Sequence, residues 1–199
     1  MKITGIEVLP PVGTAHRNIR RSWLLFKLLT DEGIFGLGEA SLHVWDEHIA
    51  SLLKEWVEHY LMGRDPLSHE VHWVHLQHTG FTRHGPIGMS ALSGLDIALW
   101  DIKGKALGRP IYELLGGPFR DQIRVYANGW YSTPSEPRKN AAEAQEVVSR
   151  GYGALKFDPF GTESFCNISL EEADRAIGRV AAVREAVGPT IDILVEGPR

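Results

Sequence analysis

A chain of 199 residues, 43% hydrophobic and 23% charged, has an ordinary globular composition and is long enough to bury one large core or two small ones. Its formal net charge of −4, with no long run of one sign, gives no electrostatic footprint for nucleic acid. No apolar stretch approaches the roughly 20 residues of a membrane span, the opening MKITGIEVLPP lacks a signal-peptide apolar region, and the single cysteine, Cys166, cannot close an intramolecular disulfide, so a reducing cytoplasm is the expected setting.

The N-terminal stretch reads as β-structure. Ile3-Thr4-Gly5-Ile6-Glu7-Val8-Leu9 alternates roughly, and Trp23 to Leu29 is a second apolar run. Asp31-Glu32-Gly33 turns that run into Ile34-Phe35-Gly36-Leu37-Gly38-Glu39, which predicts a hairpin. Thr14 to Arg21 is polar, shows no periodicity and reads as a loop. Helical spacing then takes over. Ile49, Leu52, Leu53, Trp56, Val57, Tyr60 and Leu61 form one apolar stripe, with Asp46 as the expected N-cap and Gly63 as the stop. A shorter helix is expected after Pro66. The clearest runs from about Pro86 to Leu107, with Leu92, Leu95, Leu99, Ile102 and Ala106 on one face. Gly85-Pro86 starts it and Gly108-Arg109-Pro110 ends it. Strands followed by helices indicate an α+β unit.

Beyond the Gly116-Gly117-Pro118 punctuation the pattern changes, and the division expected is 1–120 and 121–199. Ile123 to Ala127 reads as a strand. A helix capped by Ser135 follows, with Ala142, Val147 and Val148 inward, and Gly151-Tyr152-Gly153 turns into the strand Ala154 to Asp158. Ser169 with Glu172 makes a capping box for a second helix, whose face is Ala173, Ala176, Ile177, Val180, Val183 and Val187. Ile191 to Glu196 is the last strand. This alternation is the βαβαβ signature of a parallel sheet.

In such sheets reactive groups gather at the C-terminal ends of strands. Lys156 and Asp158 lie two apart on one strand and so share a face, either as a site or as a structural ion pair. Glu196 ends the last strand, where a metal ligand, a general base or a solvated terminus would stand. Arg83-His84-Gly85-Pro86 puts cationic groups before the long helix, and His16, Arg17, Arg20 and Arg21 make a basic segment; each is an anion site or a solvated surface cluster. His69, His72 and His75 drift around a helix without a fourth ligand and are better explained by packing, as the Trp-rich stretches are by a core. Gly36-Leu37-Gly38 ends a hairpin and is no phosphate loop.

Taken together these residues resemble the mandelate racemase/muconate lactonizing branch of the enolase superfamily. The opening MKITGIEV, the hairpin Asp31 to Glu39, the run SALSGLDIALWDIKGKA from Ser90 to Ala106, and PIYELLGG from Pro110 to Gly117 look like its capping domain, in order. The wording around Arg83-His84-Gly85-Pro86 and Lys156-Phe157-Asp158-Pro159 looks closest to galactonate- and mannonate-dehydratase-like members. The resemblance implies an α+β capping domain followed by a (β/α)8 barrel of the TIM type. It also implies a Mg²⁺ ion held by three carboxylates on successive barrel strands, and dehydration of an acid sugar to a 2-keto-3-deoxy acid. On that resemblance Glu196 matches the first metal ligand. Lys156 matches the first Lys of a Lys-x-Lys motif near the substrate carboxylate, with Asp158 beside it as a second catalytic candidate. Arg17, Arg21, Arg83 and His84 match substrate-binding parts of the cap. Full-length members are expected to be homo-oligomers acting on a small acid sugar, with neither nucleic acid nor membrane as partner.

Two departures bear on the chemistry. Asp158 stands where many members carry a second Lys, which counts against a racemase or cycloisomerase, the alternatives within the superfamily. Pro198 stands where related dehydratases often carry a His general acid. Only about 80 residues follow the capping domain, against the ~200–250 of a complete barrel. The expectation is therefore about three barrel strands, one metal carboxylate of three, and no catalysis by this length of chain alone. Either it is the front of an enzyme cut short, or it is a short non-catalytic protein that associates with a full-length relative.

Overall fold

The computed structural model describes residues 1–10, 12–16, 19–79, 84–132, 136–160 and 168–197, and of 12–16, 19–22 and 43 the backbone alone. In chain order the elements are β1 (Ile3–Val8), β2 (Val12–His16), β3 (Ile19–Trp23), β4 (Leu25–Thr30), β5 (Phe35–Glu39), α1 (Asp46–Trp56), α2 (His69–Gln77), α3 (Gly85–Leu107), α4 (Ile111–Leu114), α5 (Pro137–Ser149), β6 (Ala154–Phe157), α6 (Leu170–Val187) and β7 (Asp192–Val195). They fall into two compact units, Met1–Phe119 and Arg120–Arg199.

In the first unit β4 decides the architecture. Phe26, Leu28 and Thr30 are buried while Leu25, Lys27 and Leu29 are half-buried, a strict period of two. β4 therefore lies centrally in an antiparallel sheet of order β1-β4-β5. Its inner face packs with Leu92, Leu95, Leu99 and Ile102 of α3, and Ile49, Leu53 and Trp56 of α1 join the same core. The paired glycines of β5 let α3 approach the sheet closely: a Cβ on Gly36 would overlap the Ala98 carbonyl, and one on Gly38 would stand 2.6 Å from the Gly94 carbonyl oxygen. The same helix clasps the outer edge of β5. The Leu37 amide donates to Asp101 Oδ2 (2.8 Å), and Lys105 Nζ donates to the Phe35 carbonyl (2.7 Å). Side chains thus occupy backbone groups that an edge strand otherwise presents for mispairing.

Several expectations are corrected here. Thr14–His16 and Ile19–Arg21 are strand and not loop, since β2 and β3 pair antiparallel with Thr14 opposite Arg21. A ribbon satisfies its backbone by mutual pairing and carries no obligatory apolar alternation to betray it. Asp46 is the first residue of α1 and not its N-cap; its carboxylate accepts the Leu42 amide (2.8 Å). The expected stripe of α1 does continue to Leu61, but through a π-helical turn, Val57–Leu61, in which the Met62 amide reaches back to the Val57 carbonyl (2.9 Å). Gly63, at φ +73°, then hands the chain to β1 through its amide, which donates to Ile3 O (2.8 Å). On α3, Ala106 is exposed and Gly104 is the last buried residue, close under Arg109. Gly108 ends the helix in the left-handed conformation, as its position predicts. Trp56 is buried, but Trp23 and Trp45 are exposed and belong to no core.

The second unit is a βα alternation. β6 and β7 pair in parallel, Lys156 opposite Leu194 and Phe157 opposite Val195. Leu155 and Phe157 are buried against Ala144 and Val147 of α5 and Val183 of α6. The capping box forms: Ser169 Oγ accepts the Glu172 amide (3.2 Å) and Glu172 Oε2 accepts the Ser169 amide (2.9 Å). Ile177 points to solvent, since α6 buries only Ala176 and Val183 fully. On α5 Ala144, not Ala142, lies inward, and the N-cap position falls on Glu136; Ser135 lies outside the described residues.

The run 123–127 is not a strand. Only Ala127 pairs, with Leu155. Continuing that parallel register backward would set Val125 and Ile123 opposite Gly153 and Gly151, where the chain turns with Gly151 at φ +94°. With no strand among the described residues beside them, Ile123 and Val125 are exposed. The described residues thus form two parallel strands and one bridge with their helices, the opening of a barrel and not a closed one.

Candidate functional site

Period-two alternation sorts β6 and β7 into two faces. Leu155, Phe157 and Ile193 turn to the helices, so Lys156, Leu194 and, one step beyond β7, Glu196 share the other face. The register brings the two charges together: Lys156 Nζ lies 3.3 Å from Glu196 Oε2, with both side chains 27% exposed. The backbone supports this contact, because the Glu196 amide donates to the Phe157 carbonyl (3.0 Å) and continues the ladder past β7. Tyr126 sets its ring 6.0 Å from the same ammonium.

Of the two readings of Lys156 and Asp158, the structural ion pair does not form. Asp158 lies just past the end of β6, and its Oδ1 accepts the Phe160 amide (2.9 Å). It closes a short Asx turn, which Arg179 of α6 steadies through a bond from Nη1 to the Pro159 carbonyl (2.7 Å). Lys156 and Asp158 are adjacent at the strand end, but the ammonium has Glu196 as its ion-pair partner.

Of the proposed anion-binding residues, Arg17 and Arg83 lie outside the described residues, and Arg21 is described by its backbone in β3 alone. His84 sits at the N-cap position of α3 with its ring against Trp56, centroids 5.1 Å apart. Its Nε2 lies 2.6 Å from the Leu76 carbonyl. A carbonyl only accepts, so that nitrogen carries the proton and the ring is held as a strut between α2 and α3. The His69, His72 and His75 set packs as expected. His69 tilts against Trp100, His75 stacks on Tyr60 at 3.8 Å, and buried His72 is bonded between Tyr60 Oη (3.2 Å) and the Asp65 carbonyl (2.8 Å). Burial holds the His72 imidazole below its ordinary range, the Asp65 carbonyl bond opposing.

The donor set falls short of a Mg²⁺ site. Among the described residues no three His, Cys, Asp or Glu side chains converge. Glu196 offers one carboxylate, already beside an ammonium, where Mg²⁺ takes about six oxygens. Two residues at the site carried no sequence signal as site members, Tyr126 and Trp130, whose indole Nε1 donates to the Lys156 carbonyl (3.0 Å). The Asn128-Gly129 turn just before Trp130 is the one hint that the chain bends back there.

Comparison with known proteins identifies the family. A family profile described as the N-terminal domain of mandelate racemase / muconate lactonizing enzyme matches residues 5–116. A D-gluconate dehydratase of Thermoproteus tenax is 44% identical over 200 residues, covering 96% of this chain and 39% of its own. A D-galactonate dehydratase of Xanthomonas oryzae pv. oryzae is 41% identical, covering 98% of this chain and 48% of its own. Among solved structures, an enolase-superfamily member from Salmonella Typhimurium superposes with a TM-score of 0.87 at 32% identity, over 98% of this chain and 54% of that one. A mandelate racemase/muconate lactonizing enzyme from Sulfitobacter gives 0.86 at 31% identity, over 99% and 53%. The chain spans about half the length of the curated relatives it matches. With the profile covering more than half of its residues, the chain belongs to the mandelate racemase/muconate lactonizing enzyme family of the enolase superfamily.

Proposed function

We propose that this chain is the N-terminal part of an acid-sugar dehydratase that removes water from an aldonate or aldarate. The observation that carries the reading is the pairing of Lys156 and Glu196 at adjacent strand ends, on the face turned away from the helices. Its support is the dehydratase activity named for the relatives. The net reaction breaks the Cα–H and Cβ–OH bonds, releases water, and leaves an enol that tautomerises to a 2-keto-3-deoxy acid.

In this reading the Lys156 ammonium binds the substrate carboxylate, exchanging one carboxylate partner for another at little electrostatic cost. Glu196 is proposed as one ligand of a Mg²⁺ ion whose remaining oxygens come from outside the described residues; no chemical step follows for the metal from a single ligand. Asp158, held by the Phe160 amide at the mouth of the strand, is a proton-transfer candidate. For Arg17, Arg21, Arg83 and His84 the proposal is recognition of the polar groups of the sugar, resting on family likeness alone. An Asp rather than a Lys at position 158 favours dehydration over a two-lysine racemization.

The test is product formation by a polypeptide of the relatives' full length containing this chain. Incubated with Mg²⁺ and a panel of aldonates and aldarates, it is expected to give a 2-keto-3-deoxy acid from at least one. A folded protein that dehydrates none of them rejects the reading.

A further inference from the structure

The seam between Ala127 and β6 runs as a regular parallel ladder for two bonds and then changes hands. The Ala127 amide donates to the Ala154 carbonyl (2.9 Å), and the Lys156 amide donates to the Ala127 carbonyl (2.8 Å). The next bond of that ladder would run from the Gly129 amide to the Lys156 carbonyl. It does not form. Gly129 adopts φ +70°, and its amide turns to Asn128 Oδ1 (2.9 Å). The Lys156 carbonyl is met instead by an indole: Trp130 Nε1 donates to it at 3.0 Å.

The indole is itself fixed from several sides. Its ring packs against Phe157 (5.5 Å between centroids) and Tyr131 (5.6 Å) in the core that α5 and α6 cover. Two residues on, Ser132 is gripped by Glu143 of α5, which accepts the Ser132 amide (3.1 Å) and the Ser132 hydroxyl (2.7 Å). The strap 128–132 is therefore tied to α5 at Ser132 and, through Trp130 at its middle, to the backbone of Lys156. A side chain has replaced a ladder bond at the residue that carries the site's ammonium.

We propose that Trp130 is a positioning residue: by supplying the missing ladder bond it fixes the backbone of Lys156, and so holds the ammonium against Glu196. As a statement about function this rests on the dehydratase reading; as a statement about geometry it does not. Tryptophan fits the task because it donates from the rim of a large apolar ring, so one residue fills the core and reaches the strand edge. Phenylalanine can do only the first.

The test uses the full chain with Trp130→Phe, and alongside it a chain carrying benzothienylalanine at 130, which keeps the shape of tryptophan but has sulfur in place of the N–H. Amide exchange and the NMR cross-peak between the Lys156 ε-methylene and the Glu196 γ-methylene are measured. Both variants are expected to speed exchange of the Ala127 and Lys156 amides by about fivefold, the factor corresponding to one ordinary net hydrogen bond. The Lys156–Glu196 cross-peak should weaken, while Val183 in α6 keeps its exchange rate. If only the phenylalanine chain changes, or if neither moves by more than about twofold, the ring packs and does not position, and the proposal is overturned. The benzothienyl chain decides the matter should the phenylalanine chain fail to fold. No substrate enters this measurement, so a protein inactive on acid sugars would sink the dehydratase reading and leave this result standing.

Discussion

Gly36→Ala is the sharpest test of how the first unit is built. The new methyl would overlap the backbone carbonyl of Ala98 and press on Ile102 Cγ1 at 2.9 Å. A side chain could rotate away, but a helix carbonyl cannot, so α3 must lift from β5. Overpacking of this kind costs typically 1–3 kcal/mol, and a backbone obstacle puts it at about 3. Against that, Gly→Ala lowers the entropy of the unfolded chain by about 0.4–1 kcal/mol. The net loss is about 2–3 kcal/mol. With a urea slope of about 2 kcal/mol per molar, the midpoint of the transition should fall by about 1–1.5 M. Gly5→Ala in β1 is the control, because an added Cβ there meets nothing within 4 Å and no positive φ is involved; its midpoint should hold or rise slightly. Equal midpoints for the two variants would refute the claim that the glycines of β5 exist to admit α3.

Three further outcomes follow from single contacts. Asp101→Ala strips the Leu37 amide of its carboxylate and Lys105 of its ion-pair partner, so the chain should lose about 1–2 kcal/mol in urea unfolding and aggregate more readily on light scattering through the unprotected edge of β5. Ser169→Ala removes the hydroxyl that accepts the Glu172 amide, leaving the bond from the backbone amide at 169 to Glu172, and should cost α6 about 1 kcal/mol by thermal unfolding. Buried His72 titrates lower when folded than when unfolded, so the unfolded chain binds more protons between those two values. Its contribution to stability is thus complete above the ordinary histidine value of about 6.5 and declines as pH falls below it; the melting temperature should drop on acidification through that window, and His72→Phe should flatten the drop.

What the sequence discloses depends on whether burial or pairing shapes the element. The stripes of α1 and α3 are legible because a helix that packs on a core must repeat its apolar residues at its own period, and the buried residues of both match that period. β2 and β3 leave no such trace, since their hydrogen bonds go to each other. The run 123–127 misleads in the opposite sense. It has β-formers but, among the described residues, no strand opposite it, as the turn at Gly151 removes the partner. The site shows the same division. Lys156 and Glu196 stand out as charges in apolar strands, yet their partnership is a matter of register between β6 and β7, which no single strand encodes. Asp158 seems its natural partner by spacing, but the strand ends one residue too soon and the Phe160 amide takes the carboxylate. Trp130 is the least legible, because its role exists only where a ladder bond is missing.

The most direct test of the central claim, that these strand ends open a dehydratase site, compares Glu196→Gln with the parent in a polypeptide of the relatives' full length, on whichever acid sugar the parent converts best. The account predicts that kcat/KM falls by at least ~100-fold in a protein whose circular dichroism and melting are unchanged, as the role proposed for this carboxylate requires. A Glu196→Gln protein that dehydrates the same sugar within about threefold of the parent would contradict it.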